Sequence, residues 1–95
     1  MVRYSLLQKE KKCYKCGTTK NVHIHEVFFG KNRQKSIEDG CCVYLCGNHH
    51  NQSKYGVHFD HKFDLYLKKI MELKWLEYYD KTKEDFIKRY YNNYL

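Results

Sequence analysis

The stretch LCGNHH, residues 45–50, places one cysteine and two adjacent histidines within six positions. Two residues separate Cys46 from His49, and the same spacing separates Cys13 from Cys16 in CYKCG, about thirty residues earlier. Two such pairs supply three thiolates and one imidazole, which is a usual ligand set of a closed tetrahedral zinc site. The spacing therefore predicts a structural zinc ion bound by Cys13, Cys16, Cys46 and His49.

His50 is left over once this site is complete. Neighbouring side chains at a turn or helix start diverge, so His49 and His50 are poorly placed to bind the same ion. In VHIHEV, residues 22–27, His23 and His25 share one face of a predicted strand, and Glu26 takes the other face. These histidines and His58 are the candidates to form a second site with His50.

Length and charge restrict the class of protein. A chain of 95 residues is one domain, which we assign to residues 1–95, because two cores could hardly be filled. The 18 Lys and Arg residues outnumber the 11 Asp and Glu residues, and the net charge of +7 favours a polyanionic partner such as nucleic acid. An odd cysteine count of five, with no apolar N-terminal stretch, predicts reduced thiols, a cytoplasmic location and no membrane association.

The predicted core covers residues 13–58 and has α+β character. Two β-branched and aromatic runs, 22–29 and 41–46, suit a pair of strands. Between them, GKNRQKSIEDG at 30–40 is interpreted as a polar loop that is long for a hairpin. Cys41 and Cys42 face opposite sides of a strand, and we interpret them as small buried apolar residues, with Cys42 as the replacement ligand if Cys46 did not bind.

Residues 59–95 are predicted to form a helical tail. Apolar residues at intervals of three and four indicate a helix of about five turns, and the stripe comprises Phe63, Leu67, Ile70, Met71 and Tyr78. Leu65, Leu73 and Leu76 lie outside the stripe and predict a second apolar surface for the last helix or for a partner chain, such as a second copy of the chain. Thr82 is the expected N-cap of that last helix, with Glu84 and Asp85 in its first turn.

The order of CYKC, HIHEVFF, a polar loop and VYLCGNHH, followed by GVHFD, resembles the HNH endonuclease superfamily in the zinc-stabilised form common in phage genomes. The resemblance covers about residues 13–95. It implies a small ββα-metal core held together by a structural zinc ion and followed by a helical tail. It also implies a phage or prophage protein that hydrolyses DNA phosphodiester bonds in a bacterial cytoplasm, with low sequence specificity.

The same resemblance implies roles at a catalytic divalent ion. His25, His50 and His58 take the ligand positions, and Glu26 takes the position of the general base. This sequence departs from the family pattern in two places: the base is usually histidine, and Cys41 replaces the family's middle asparagine. The reverse assignment, with His25 as base and Glu26 as ligand, therefore stays open. Imidazole ligands suit zinc, nickel or manganese, whereas a carboxylate ligand favours magnesium or manganese.

The basic loop is the predicted phosphate contact. It contains Lys31, Arg33 and Lys35, and a similar arginine and Ser36 occur in the proteins that this loop resembles. Two other functions stay open. The chain could be a non-catalytic, zinc-stabilised nucleic-acid-binding module on the same scaffold, or a redox dithiol protein that uses its Cys-x-x-Cys pair.

Overall fold

The computed structural model of the protein describes residues 4–95. It is a small α+β fold in which a two-stranded antiparallel sheet is combined with helices. The elements, in chain order, are β1 (Val22–Glu26), a 3-10 turn (Gly30–Asn32), α1 (Arg33–Asp39), β2 (Cys42–Cys46), α2 (Gly47–His50), α3 (His61–Tyr78) and α4 (Lys83–Tyr90). The predicted domain also includes residues 1–3, which lie outside the described part.

The pairing of β1 with β2 fixes the positions of two candidate metal ligands, His25 on β1 and Cys46 on β2. Val22 pairs with Cys46, and His25 pairs with Val43. β1 ends at Glu26 instead of continuing to residue 29 as predicted. The reason is that the backbone of Phe28 donates to and accepts from the Ser36 hydroxyl, at 3.1 and 2.7 Å, which turns the chain toward α1.

The polar segment between the strands is helical, so its prediction as a loop was wrong. Residues 33–39, RQKSIED, form α1, and Gly40 ends the helix in the left-handed region at φ 76°. Gln, Lys and Glu favour helix, and a glycine directly after them is a typical C-terminal stop. Only Ser36 and Ile37 of this helix are buried. Two buried positions are too few to produce a clear apolar periodicity, so the segment looks uniformly polar in the sequence.

Both tail helices were predicted correctly. α3 has 18 residues, which is five turns, and Thr82 caps α4 by accepting from the backbone N–H of Asp85. The apolar stripe of α3 is partly different. Phe63, Leu67 and Met71 are buried, whereas Tyr78 is 59% exposed and Trp75 occupies the buried position one turn earlier. Leu65 and Leu73, outside the stripe, are exposed.

The carboxylate of Asp39, at the end of α1, makes several of the contacts between α1 and the tail. Asp39 accepts hydrogen bonds from Trp75 Nε1 of α3 at 2.9 Å, from Arg89 of α4 at 3.0 and 3.1 Å, and from the Tyr90 hydroxyl at 2.7 Å. Charge-assisted bonds of this kind are stronger than neutral ones. The tail is therefore fixed against the helix that the sequence did not reveal.

Candidate metal centres

The first candidate centre is the Cys3His group, formed by Cys13, Cys16, Cys46 and His49, whose ligand atoms lie within 4.8 Å of one another. Cys46 is the last residue of β2, and His49 follows in α2, so one strand-to-helix junction supplies half of the set. The other half comes from the turn at residues 13–17, where Gly17 has a φ of 78°. Since Cys16 N–H approaches Cys13 Sγ at 3.5 Å, the turn directs both sulfurs inward.

The distances within this group match one tetrahedral ion. Zinc bonds of about 2.3 Å to sulfur and about 2.0–2.1 Å to nitrogen place two sulfurs about 3.8 Å apart, and sulfur and nitrogen about 3.5–3.6 Å apart. Cys16 Sγ and Cys46 Sγ are 3.8 Å apart, and His49 Nδ1 lies 3.6 Å from Cys13 Sγ and 3.2 Å from Cys46 Sγ. The four side chains could therefore hold a structural metal ion after a small adjustment of the distance between His49 and Cys46.

The environment of Cys13 favours its thiolate, which is the form that binds metal. Burial by itself would raise the pKa of this thiol, but backbone hydrogen bonds from Cys46, Cys16 and Lys15 outweigh it and lower the pKa to about 6. Cys13 is 1% exposed and belongs to the hydrophobic core. This ligand therefore joins the metal group directly to the core.

The second candidate centre is the three-histidine group, formed by His25, His50 and His58. Each offers one ring nitrogen, and these three nitrogens lie within 4.8 Å of one another. β1 supplies His25, the last residue of α2 is His50, and the irregular segment after α2 supplies His58. The backbone N–H of His58 donates to the carbonyl of His50 at 3.3 Å, which returns that segment to α2. The structure thus brings together the three residues that the family resemblance implied as ligands.

His25 is the buried member of the group. It is 1% exposed, and among the described residues its Nε2 has no hydrogen-bond partner. Burial lowers the pKa of His25 to about 3, with smaller contributions from His50, His58 and Lys68. The ring is therefore neutral at physiological pH, and its unsatisfied nitrogen is a polar atom for which a bound ion would account.

The contact between His50 and His58 also suits a shared ion. Their Nε2 atoms are 3.1 Å apart, and two nitrogens that bind one ion at about 2.1 Å lie about 3.0–3.4 Å apart. The pKa of His50 is lowered to about 4, mainly by burial and also by His58 and His23, while Glu26 acts in the opposite direction. Like His25, His50 is therefore neutral and able to bind metal.

Glu26 lies beside this group but is not a member of it. Its side chain is 13% exposed, and its Oε1 is 2.8 Å from Nε of Arg33, the first residue of α1. Arg33 is 54% exposed, so a charged group remains at the surface near the histidines. The segment that was predicted to be a loop is α1. It places Arg33, the predicted phosphate contact, against Glu26, the predicted general base.

The other predicted phosphate contacts differ in their surroundings. Lys31 is exposed in the 3-10 turn. Lys35 donates through Nζ to the carbonyl of Arg89 at 2.7 Å and lies over the Tyr91 ring, so it contacts the tail. Ser36 is fully buried, and its hydroxyl forms hydrogen bonds with the Phe28 backbone. The role of Ser36 is therefore structural, in place of the predicted phosphate contact.

Replacing Ser36 with alanine is expected to lower the free energy of unfolding by about 1–3 kcal/mol, because buried backbone groups lose their partner. The affinity for a polyanion such as DNA, which the net charge of the chain predicts, should not change. Ser53 is a matched control, since its hydroxyl also donates to a carbonyl and accepts from an N–H, but outside the buried core. Urea denaturation of both variants measures the difference, and weaker DNA binding by Ser36→Ala at unchanged stability would contradict the structural role.

Cys41 and Cys42 are both fully buried, as predicted, and neither belongs to a candidate metal group. Burial raises the pKa of Cys41 to about 12, so its thiol stays protonated. The Tyr90 hydroxyl oxygen, whose hydrogen is donated to Asp39, lies 3.6 Å from Cys41 Sγ. These two cysteines are core residues.

One charged residue near the histidines was missed by sequence reasoning. Lys68 of α3 pairs with Asp64 at 2.9 Å, and its Nζ lies 4.3 Å from the centre of the Phe29 ring. That ring in turn lies 5.9 Å from the His25 ring. The spacing of Asp64 and Lys68 indicated only an ordinary helical ion pair, and their place beside His25 depends on how α3 packs.

Comparisons of the chain with protein-family models, with curated proteins and with solved structures found no match. Within residues 4–95, no helix combines the length and the apolar character needed to cross a bilayer.

Proposed function

We propose that this protein is a metal-dependent endonuclease of HNH type, with a ββα-metal core, that hydrolyses DNA phosphodiester bonds. The proposal is carried by the three-histidine group, in which a buried, neutral His25 with an unsatisfied nitrogen lies beside two more accessible imidazoles. A second feature supports it. The Cys3His group, which we assign to structural zinc, ends at His49, so the same turn of α2 contributes to both groups.

The residues of the second group suit an ion that does chemistry. Three protein ligands leave open coordination positions, as in catalytic metal sites. When bound, a divalent ion there would polarise the scissile phosphate and stabilise the leaving oxygen. Three imidazoles favour zinc, nickel or manganese, and magnesium would need an oxygen ligand that the group does not include.

We assign Glu26 as the general base and His25 as a ligand. His25 belongs to the three-histidine group and Glu26 does not, which favours this assignment over the reverse. The carboxylate of Glu26 would accept a proton from the attacking water while Arg33 moves from Glu26 to a DNA phosphate. Arg33 is suited to that exchange because a guanidinium binds a carboxylate or a phosphate through the same pair of donors.

DNA is the proposed partner because the chain has a net charge of +7, because Arg33 is exposed beside Glu26, and because Lys31 is exposed in the 3-10 turn before α1. Low sequence specificity follows if binding depends on phosphate contacts, which carry no sequence information. We do not include Lys35 or Ser36 among the proposed contacts, because Lys35 contacts the tail and Ser36 is buried. A homodimer through the exposed leucines of α3, and a phage or prophage origin, remain predictions.

The test is a measurement of bound metal together with nicking of supercoiled plasmid. We expect two ions per chain, one of them removable by mild dialysis, and nicking that stops after dialysis and returns with manganese, nickel or zinc. Two bound ions without cleavage of any DNA would contradict the endonuclease proposal.

The second candidate is a non-catalytic nucleic-acid-binding module on the same scaffold. The ion pair of Glu26 with Arg33 favours it, because both groups already satisfy one another. In that case we expect one tightly bound ion per chain and salt-dependent DNA binding without nicking.

A further inference from the structure

Both ring nitrogens of His50 have a close partner. Its Nε2 lies 3.1 Å from His58 Nε2, within the three-histidine group, whereas its Nδ1 lies 3.0 Å from Nδ1 of His23. His23 is half-buried on β1 and is not a member of the three-histidine group. The Nδ1 contact therefore calls for a separate explanation.

The contact continues as a chain of hydrogen bonds. His23 Nε2 lies 3.2 Å from Oδ1 of Asn21, the residue before β1. Asn21 in turn donates through Nδ2 to Oε1 of Gln52 at 2.9 Å. Its backbone carbonyl accepts from Gly47 N–H at 2.9 Å, which ties it to the start of α2. This series of hydrogen bonds thus connects His50, at the end of α2, to Asn21 before β1 and to Gln52 after α2.

The chemistry of each group sets the direction of this chain. Asn21 uses its amide hydrogens on Gln52, so it offers His23 a carbonyl oxygen, which can only accept. His23 Nε2 must then carry the hydrogen. A neutral imidazole has one N–H, so His23 Nδ1 accepts and His50 Nδ1 donates. His50 Nε2 is left with its lone pair, on the side of His25 and His58.

We infer that His23, oriented by Asn21, is a positioning residue that holds His50 in the tautomer with a free Nε2 lone pair. Ligating histidines commonly donate their other N–H to an acceptor that sets the tautomer and the ring orientation. Here the acceptor is a second histidine. The inference rests on the proposed ion site, although it does not require the site to cleave DNA.

An ion bound between His23 and His50 is the competing explanation. It would have only those two imidazoles, because among residues 4–95 no third cysteine, histidine, aspartate or glutamate joins them in a group. A hydrogen bond accounts for the 3.0 Å separation of the two Nδ1 atoms without any further ligand.

The test compares His23→Phe, which keeps a ring but removes the acceptor, with His23→Gln, whose side-chain oxygen can accept from His50 Nδ1. Protein that carries one zinc per chain is titrated with nickel by calorimetry. We expect nickel affinity to fall about 10- to 100-fold in His23→Phe, as for other outer partners of metal-binding histidines, and to be largely restored in His23→Gln. His61→Phe is a control, because His61 is an exposed histidine at the start of α3.

A second readout works even without an ion in the second site. Long-range ¹H–¹⁵N NMR spectra of the nickel-free protein should show His50 with its hydrogen on Nδ1 in the wild type and in His23→Gln, and a mixture of tautomers in His23→Phe. An unchanged tautomer in His23→Phe would overturn the inference, as would unchanged nickel affinity. A third ion per wild-type chain that disappears in His23→Phe would show a ligand instead. Absence of nicking with intact, His23-dependent nickel binding would contradict only the endonuclease proposal.

Discussion

Cys46→Ser is expected to unfold the protein under conditions in which the wild type is fully folded. A serine hydroxyl does not replace a thiolate ligand, so the Cys3His group would lose its ion. Structural zinc sites contribute an apparent binding free energy of about 10–16 kcal/mol to folding, whereas a whole domain is typically stable by about 5–15 kcal/mol. The loss of the ion alone is therefore enough to reverse the folding equilibrium.

The structure explains why the effect should spread beyond the metal. Within residues 4–21 there is no helix or strand, and the segment is attached to the sheet by contacts such as the bond from Tyr14 N–H to the Tyr44 carbonyl. Cys13 and Cys46 are both buried in the core. If the Cys3His group binds the proposed ion, its loss removes one attachment of this segment to the sheet and leaves the sulfurs of Cys13 and Cys46 without a shared partner.

Circular dichroism and zinc content by native mass spectrometry measure the outcome. The control is Cys42→Ser, at the opposite end of β2, which is as deeply buried but lies outside the Cys3His group. It should lower stability and keep one zinc ion per chain. A Cys46→Ser protein that still binds zinc and unfolds cooperatively would show that Cys46 is not a ligand.

His50→Ala is expected to reduce plasmid nicking about 1,000-fold or more without loss of the structural ion. If the second ion stabilises the transition state by about 4 kcal/mol, its loss costs about three powers of ten in rate. His25→Ala should act similarly on nicking, but it also leaves a cavity in the interior and should lower the melting temperature, because His25 is almost fully buried.

Glu26→Gln separates the base from the ligands. It should keep the second ion and lose about 100- to 10,000-fold in rate, the usual contribution of a general base. His61→Ala is the control for general effects of removing a histidine. Equal nicking by His50→Ala and wild type would indicate a contaminating nuclease and would remove the support for a catalytic three-histidine group.

Much of the candidate site follows from short-range features of the sequence. The spacing of Cys13 with Cys16 and of Cys46 with His49 predicted the four members of the first group, since two intervening residues form one tight turn. Strand alternation predicted that His25 and Glu26 separate, and the structure places His25 in the three-histidine group and Glu26 against Arg33. Thr82 was recognisable because a cap and its acidic partner are only three residues apart.

Other features could not be read in this way. The segment 33–39 looked like a loop because a seven-residue helix with two buried positions has too little apolar periodicity to be distinguished from polar coil. The phosphate role of Ser36 came from the resemblance of its loop, and nothing in the sequence shows that its hydroxyl is buried.

The sequence by itself determined which residues could bind metal, which segments contain the strands and tail helices, and how α4 begins, because these depend on backbone geometry over a few residues. Only the tertiary structure decided that His23 contacts His50, that Arg33 meets Glu26, and that Asp39 gathers the tail. Those contacts join residues 7 to 51 positions apart. Their partners are selected by the packing of whole elements, for which no local spacing rule exists.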